Sequence, residues 1–251
     1  NLDVVQVVQA HVWTKPQWQT WQKEFCVKCQ KKKNNKSNDN QQQQATKLSL
    51  DSHTSSMPRF EQAQILVDFL MTHKIIHRNN SRVWDVAGGS GFLSYALALR
   101  GIHSTVVDPR PHVGCLPKRF RKQYRASLAM SSSSSSSSNI AIPFEVQRAW
   151  FGDPPDGVET DFRTPDDIDI PVIHQQPNCT TLVALHPDEA TDAVVCTAVR
   201  YRIPFLIVPC CVFARHFVQR RYGGKPVTTY EQLLDYLQTM DASIQRSELP
   251  F

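Results

Sequence analysis

Val83-Trp84-Asp85-Val86-Ala87-Gly88-Gly89-Ser90-Gly91-Phe92 runs from an apolar strand through a glycine turn into a helix. The chain has 251 residues and only nine glycines, yet Gly88, Gly89 and Gly91 fall within four positions here. Glycine permits a tight turn and lets backbone amides approach a ligand, and the helix N-terminus behind such a turn favours negative charge. Asp108, 23 residues after Asp85, closes the next strand. A carboxylate at that place can accept hydrogen bonds from both hydroxyls of a ribose. One reading is a dinucleotide fingerprint, Gly-x-Gly-x-x-Gly, but counted from Gly89 its third glycine falls on Ser94. A tight turn with a purely structural role is another. The acid at Asp85, four residues ahead of Gly89, argues in another direction.

Outward from this turn the hydrophobic pattern alternates between strand and helix. Pro58 suits the first turn of a helix to about His73, with Phe60, Ala63, Leu66, Val67 and Leu70 on one face. Arg82 to Ala87 is a strand, Phe92 to Arg100 a helix, and Ile102 to Asp108 a second strand stopped by Pro109. A basic helix over Pro117 to Arg125 and a strand near Pro143 to Phe151 follow. Thr181 to His186 and Pro204 to Val208 read as strands around a helix from Glu189 to Arg200. The chain closes with a helix over Tyr230 to Met240 and the start of a strand from Ser243. Such alternation predicts βαβ units: a Rossmann-like, doubly wound, mainly parallel sheet with helices on both faces.

Residues 1–55 read as a low-complexity, largely disordered tail, and 56–251 as the folded domain, with flexible insertions at 126–140 and 152–179. The Lys/Asn/Gln tract over 28–50 has too little apolar surface to order itself, although 1–27 carry Trp13, Trp18, Trp21 and Phe25 and could form a short helix. Eight consecutive serines, Ser131 to Ser138, belong in a flexible loop. No apolar run approaches the roughly 18 residues of a membrane span, so no membrane partner is expected. Seven cysteines, with Cys210 and Cys211 adjacent, fit a reducing, intracellular compartment, cytoplasm or nucleus. Cys26 and Cys29 have no second pair in reach, so no metal is expected. Asn1 in place of methionine reads as the start of a fragment.

The net charge of +5 is unevenly placed. Residues 151–170 hold seven acids against Arg163 alone, which leaves a basic body with one acidic loop and suits a polyanionic partner. Lys118, Arg119, Arg121, Lys122 and Arg125 put five positive charges in eight residues of one helix, candidates for substrate phosphate binding. Arg215, Arg220, Arg221 and Lys225 would extend the same surface if the two segments meet.

Asp85 to Gly91 resembles the first motif of the class I S-adenosylmethionine-dependent methyltransferases, Asp/Glu-x-Gly-x-Gly-x-Gly, with Ala87 in the first glycine's place. The strand ending in His186-Pro187-Asp188 and the next ending in Pro209-Cys210-Cys211 are similar to one branch of that family. The branch includes the tRNA acceptor-stem 2'-O-methyltransferases and methyltransferase-like proteins related to ribosomal RNA adenine dimethylases; where it usually has His-x-Cys-Gly, this chain has His186-Pro187-Asp188-Glu189. The resemblance covers about residues 57–251. It implies S-adenosyl-L-methionine as cofactor, held by Asp85, Ala87, Gly88, Gly89, Gly91 and Asp108, and methyl transfer to RNA, tRNA or rRNA. His186 would be the base, Asp188 its orienter or a substrate contact, and Cys210 a pocket residue or thiolate nucleophile. Set against these roles are plain structural ones: a strand-end histidine, an acid at a helix start, a small buried thiol. Two other functions stay open, a catalytically degenerate fold that binds RNA or acts as a scaffold, and methylation of a protein or small molecule. The family's final antiparallel strand has no room before Phe251, so the sheet is expected to lack it.

Overall fold

The computed structural model describes residues 5–10, 57–78, 80–131, 142–152, 170–173 and 177–249. In chain order these form β1 (Val5–Ala10), α1 (Arg59–Thr72), β2 (Arg82–Val86), α2 (Phe92–Ala98), β3 (His103–Val107) and α3 (Lys118–Ser131). There follow β4 (Glu145–Gln147), β5 (Trp150–Phe151), β6 (Val172–Ile173), β7 (Thr181–Leu185), a short 3-10 turn (Asp188–Ala190) and α4 (Thr191–Tyr201). The last elements are β8 (Phe205–Val208), β9 (Arg221–Tyr222), β10 (Lys225–Pro226), α5 (Tyr230–Gln238) and β11 (Ile244–Leu249).

The main sheet has the order β11-β1-β8-β7-β2-β3-β4 and every pairing in it is parallel. Its central strands carry the apolar composition that burial on both faces requires: all of Phe205–Val208 is buried, as are Thr181–Ala184. Successive residues of β3 serve opposite faces. Val106 packs with Tyr95, Leu116, Phe120 and Phe144, whereas Val107 packs with Val194, Val195 and Leu233 from α4 and α5. α1 buries Ala63, Leu66, Val67 and Leu70 completely, the stripe expected from its spacing; each leucine is worth about 2 kcal/mol of hydrophobic stabilisation. α5 starts at a capping box, in which the Gln232 amide donates to Thr229 Oγ1 and the Thr229 amide to Gln232 Oε1. This is an α/β fold of the Rossmann-like, doubly wound kind. Its strand order reverses beside β2, which has β3 on one side and β7 on the other, so the crevice between their C-terminal ends is the expected ligand position.

Several expectations need correction. Val5–Ala10, inside the presumed tail, form a strand between β8 and β11. β-branched valines at four of seven positions, Val4 to Ala10, supply the propensity for it. The rest of 1–55 lies outside the described residues, as does most of the serine tract. The insertion at 126–140 begins as helix, since α3 runs to Ser131. The insertion at 152–179 returns at β6, which pairs in parallel with β5 as a separate two-stranded sheet. The strand expected over Pro143 to Phe151 is therefore two strands, β4 in the main sheet and β5 outside it. Among the described residues no antiparallel strand enters the main sheet, and β11 joins it in parallel.

Candidate functional site

The turn after β2 is built around Asp85. Its carboxylate is fully buried, accepts from the Ser94 amide at 3.1 Å and the Ser94 hydroxyl at 2.9 Å, and so caps the start of α2 from the strand below. A Cβ at Gly88 would lie 2.5 Å from that carboxyl carbon, and one at Gly91 (φ +81°) 2.5 Å from the Phe144 ring. Glycine is therefore a steric requirement at both places. Burial pushes the Asp85 pKa up to about 7 against the pull of the Ser94 hydrogen bonds, and its Oδ1 has no partner. Ala87, the departure from the glycine pattern, has φ +56°, the left-handed region that explains why glycine suits this position.

Asp108 leaves the end of β3 beside the turn. It is 1% exposed and accepts from the Gly89 amide at 3.0 Å and the Arg110 amide at 2.9 Å. The Ala87 amide bonds to the Val107 carbonyl at 2.8 Å and Gly114 to the Gly89 carbonyl at 2.7 Å, which fixes the turn to the neighbouring strand and loop. A cavity of about 340 Å³ opens at the C-terminal ends of β2, β3 and β7. Val86, Val107, Ala149, Trp150, Phe151 and Phe217 give it apolar walls, and Asp108, Arg110, Asp188 and Glu189 its charged groups. A largely apolar pocket with a few convergent polar groups is the common form of a small-molecule site.

Of the residues predicted to hold a cofactor, Ala87 and Asp108 line the cavity. Gly89 is joined to it through Asp108, while Asp85, Gly88 and Gly91 shape the turn behind it. Of the three expected to do chemistry, only Asp188 is in the lining. His186 and Asp188 both have positive φ (+57° and +50°), so the strand end after β7 is a strained double bend. His186 Nε2 lies 3.3 Å from Gln62 Oε1 on α1, and its Nδ1 is buried without a partner. Burial, aided by the Arg59 cation, lowers its pKa to about 4, so the imidazole is neutral at pH 7. With the Gln62 carbonyl as acceptor, the ring proton sits on Nε2 and Nδ1 carries the free lone pair.

The Cys210 thiol donates to Asp188 Oδ1 at 3.0 Å. Its pKa is raised well above the usual range by the hydrogen bond with Cys211, by burial and by the negative Asp188, which disfavours a thiolate. The ligand atoms of Asp188, Cys210 and Cys211 all lie within 4.8 Å of one another, a set that could hold a thiophilic cation and that the sequence did not disclose.

Lys118, Arg119, Arg121, Lys122 and Arg125 are exposed on α3, while Phe120 and Tyr124 turn inward against the aromatic cluster of Phe60, Phe92 and Tyr95. Arg220 does not belong with exposed Arg215, Arg221 and Lys225. It is buried, pairs with buried Asp192 at 2.8 Å, donates to the Val212 carbonyl at 2.7 Å and stacks 3.7 Å from the centre of Phe217. It thereby pins the loop after β8 to α4 and holds Phe217 at the cavity wall.

Arg110, Trp150 and Phe217 went unrecognised in the sequence. Only Arg110 carried a local signal, a cation two residues after the strand-end acid. No family model and no curated protein matches the chain. Among the described residues no helix is long and apolar enough to cross a membrane.

Proposed function

We propose that the protein binds S-adenosyl-L-methionine and transfers its methyl group to RNA. The observation that carries the reading is Asp108, a buried carboxylate bonded to the Gly89 amide at the edge of a largely apolar cavity, at the strand-order reversal. A nucleoside needs such a pair of acceptor oxygens for its ribose and apolar walls for its base. The motif likeness of Asp85 to Gly91 adds S-adenosylmethionine as the nucleoside.

The cofactor would supply an electrophilic methyl on a sulfonium. What remains for the protein is to position the nucleophile in line and help remove its proton. His186, neutral and with an unpartnered Nδ1, suits the proton-accepting role. Asp188, in the lining and bonded to Cys210, suits substrate orientation. The raised Cys210 pKa argues against covalent attack by that thiol. RNA is favoured by the five exposed cations of α3, which the acceptor's phosphates would meet.

The test is transfer of labelled methyl from S-adenosylmethionine to a pool of tRNA and rRNA, with His186→Ala lowering turnover but not cofactor affinity. A second reading, a catalytically inert RNA-binding fold, is favoured by one fact: His186 and Cys210 are outside the cavity lining. Cofactor binding without transfer to any RNA, protein or small-molecule acceptor would decide for it.

A further inference from the structure

Arg110 occupies the carboxylate on which the proposed cofactor depends. Its Nε donates to Asp108 Oδ1 at 2.8 Å and its Nη2 to Oδ2 at 2.5 Å, a two-pronged ion pair. Oδ1 also accepts the Arg110 amide and Oδ2 the Gly89 amide, so each oxygen already receives two donors. A carboxylate has about four lone-pair positions, and all four are in use. A ribose cannot place both hydroxyls on Asp108 while the guanidinium remains there. The two backbone donors are fixed by the turn, whereas the Arg110 side chain is 57% exposed and tethered only by its own bonds. Its Nη2 approaches the Ala87 carbonyl only at 3.4 Å. Asp188 and Glu189, also in the cavity lining, attract the same guanidinium and offer it an alternative partner.

We infer that Arg110 is a specificity-determining residue of the cofactor site, an internal occupant of Asp108 that the nucleoside must displace toward Asp188 and Glu189. The inference rests on the nucleoside-cofactor reading. Two consequences separate it from a structural role. Loss of the guanidinium frees two acceptor positions while Gly89 and the residue-110 amide still hold the carboxylate, so nucleoside affinity rises. Because the competing pair is partly exposed, salt weakens it, so the wild-type protein gains affinity as salt rises and the variant does not.

The experiment is calorimetric titration with S-adenosylhomocysteine of wild type, Arg110→Ala and Arg110→Lys, at low salt and at about 0.5 M salt, with thermal unfolding as a check on folding. Arg110→Ala should bind roughly three- to tenfold tighter at low salt, and the gap should close at high salt. Arg110→Lys keeps the charge but loses the planar fork, so its affinity should fall in between. If wild type binds and Arg110→Ala binds equally or more weakly, Arg110 is a bystander or a ligand contact. In that case this inference fails while the cofactor reading stands. If neither binds, the cofactor reading fails and takes this inference with it.

Discussion

Replacing Asp85 by asparagine removes a buried titratable group while keeping the side chain's shape. The amide oxygen can still accept from the Ser94 amide and hydroxyl, and the new NH2 falls where Oδ1 now lies without a partner. An unpaired buried donor costs about 1–3 kcal/mol, but the protonated wild-type carboxyl carries one at the same Oδ1, so at low pH the cost is largely shared by both proteins. Against this stands the charge that is removed. Burial raises the Asp85 pKa from 3.8 to about 7, so between those values the folded protein binds a proton that the unfolded chain does not. Stability contributed by this group is present at low pH and falls as pH rises from 3.8 to about 7. At about 1.4 kcal/mol per pH step the loss reaches about 4 kcal/mol. The variant should therefore match wild type to within about 1 kcal/mol near pH 4 and exceed it by about 3–4 kcal/mol at pH 8, with the gap opening between about pH 4 and 7. The difference between the two proteins is the quantity to use, because His186 acts oppositely. Its pKa is depressed to about 4, so its contribution rises with pH between about 4 and 6.5 and masks the Asp85 slope in wild type alone. Urea unfolding of both proteins at a series of pH values from 4 to 8 gives this difference. Parallel curves, or a variant that loses ground as pH rises, would refute the placement of Asp85 as a buried, charge-penalised cap of α2.

Three further outcomes follow from the same geometry. Ala87→Gly should stabilise the protein by about 0.5–1 kcal/mol in denaturant titration, since relief of a left-handed alanine outweighs the added freedom of the unfolded chain. Arg220→Ala should destabilise by about 3–5 kcal/mol, because it leaves Asp192 charged and unpaired in the interior, and Arg220→Ala with Asp192→Ala together should recover part of that loss. Turnover governed by His186 as base should stay level on the acid side down to about pH 5 and fall toward about pH 4, where the imidazole protonates; a drop centred on pH 6.5 would contradict its burial.

The elements that were legible in the sequence are those whose signal is local. The turn from Asp85 to Phe92 announces itself through glycine spacing, and the apolar stripe of α1 through a helical period. The runs of β7 and β8 have no polar interruption because both faces of the sheet cover them. What was illegible depends on distant partners. Val5–Ala10 is a strand of only six residues ahead of a polar tract, and only pairing with β8 and β11 makes it part of the sheet. β5 and β6 find each other across the acidic segment. Arg220 looked like its basic neighbours because charge is readable in a sequence and burial of one cation among several is not; its partner Asp192 lies 28 residues away on α4. Asp85 and Asp108 were both read as cofactor ligands. The fold separates them: one carboxylate braces the turn and the other faces the cavity through bonds that Arg110 now fills.

In the proposed function Asp108 is the ribose acceptor of an S-adenosylmethionine site. Calorimetric titration of wild type and Asp108→Ala with S-adenosylhomocysteine tests it most directly. Wild type should bind one-to-one, and a folded Asp108→Ala should lose measurable binding. Absence of binding by wild type, or equal affinity in the variant, would contradict that role.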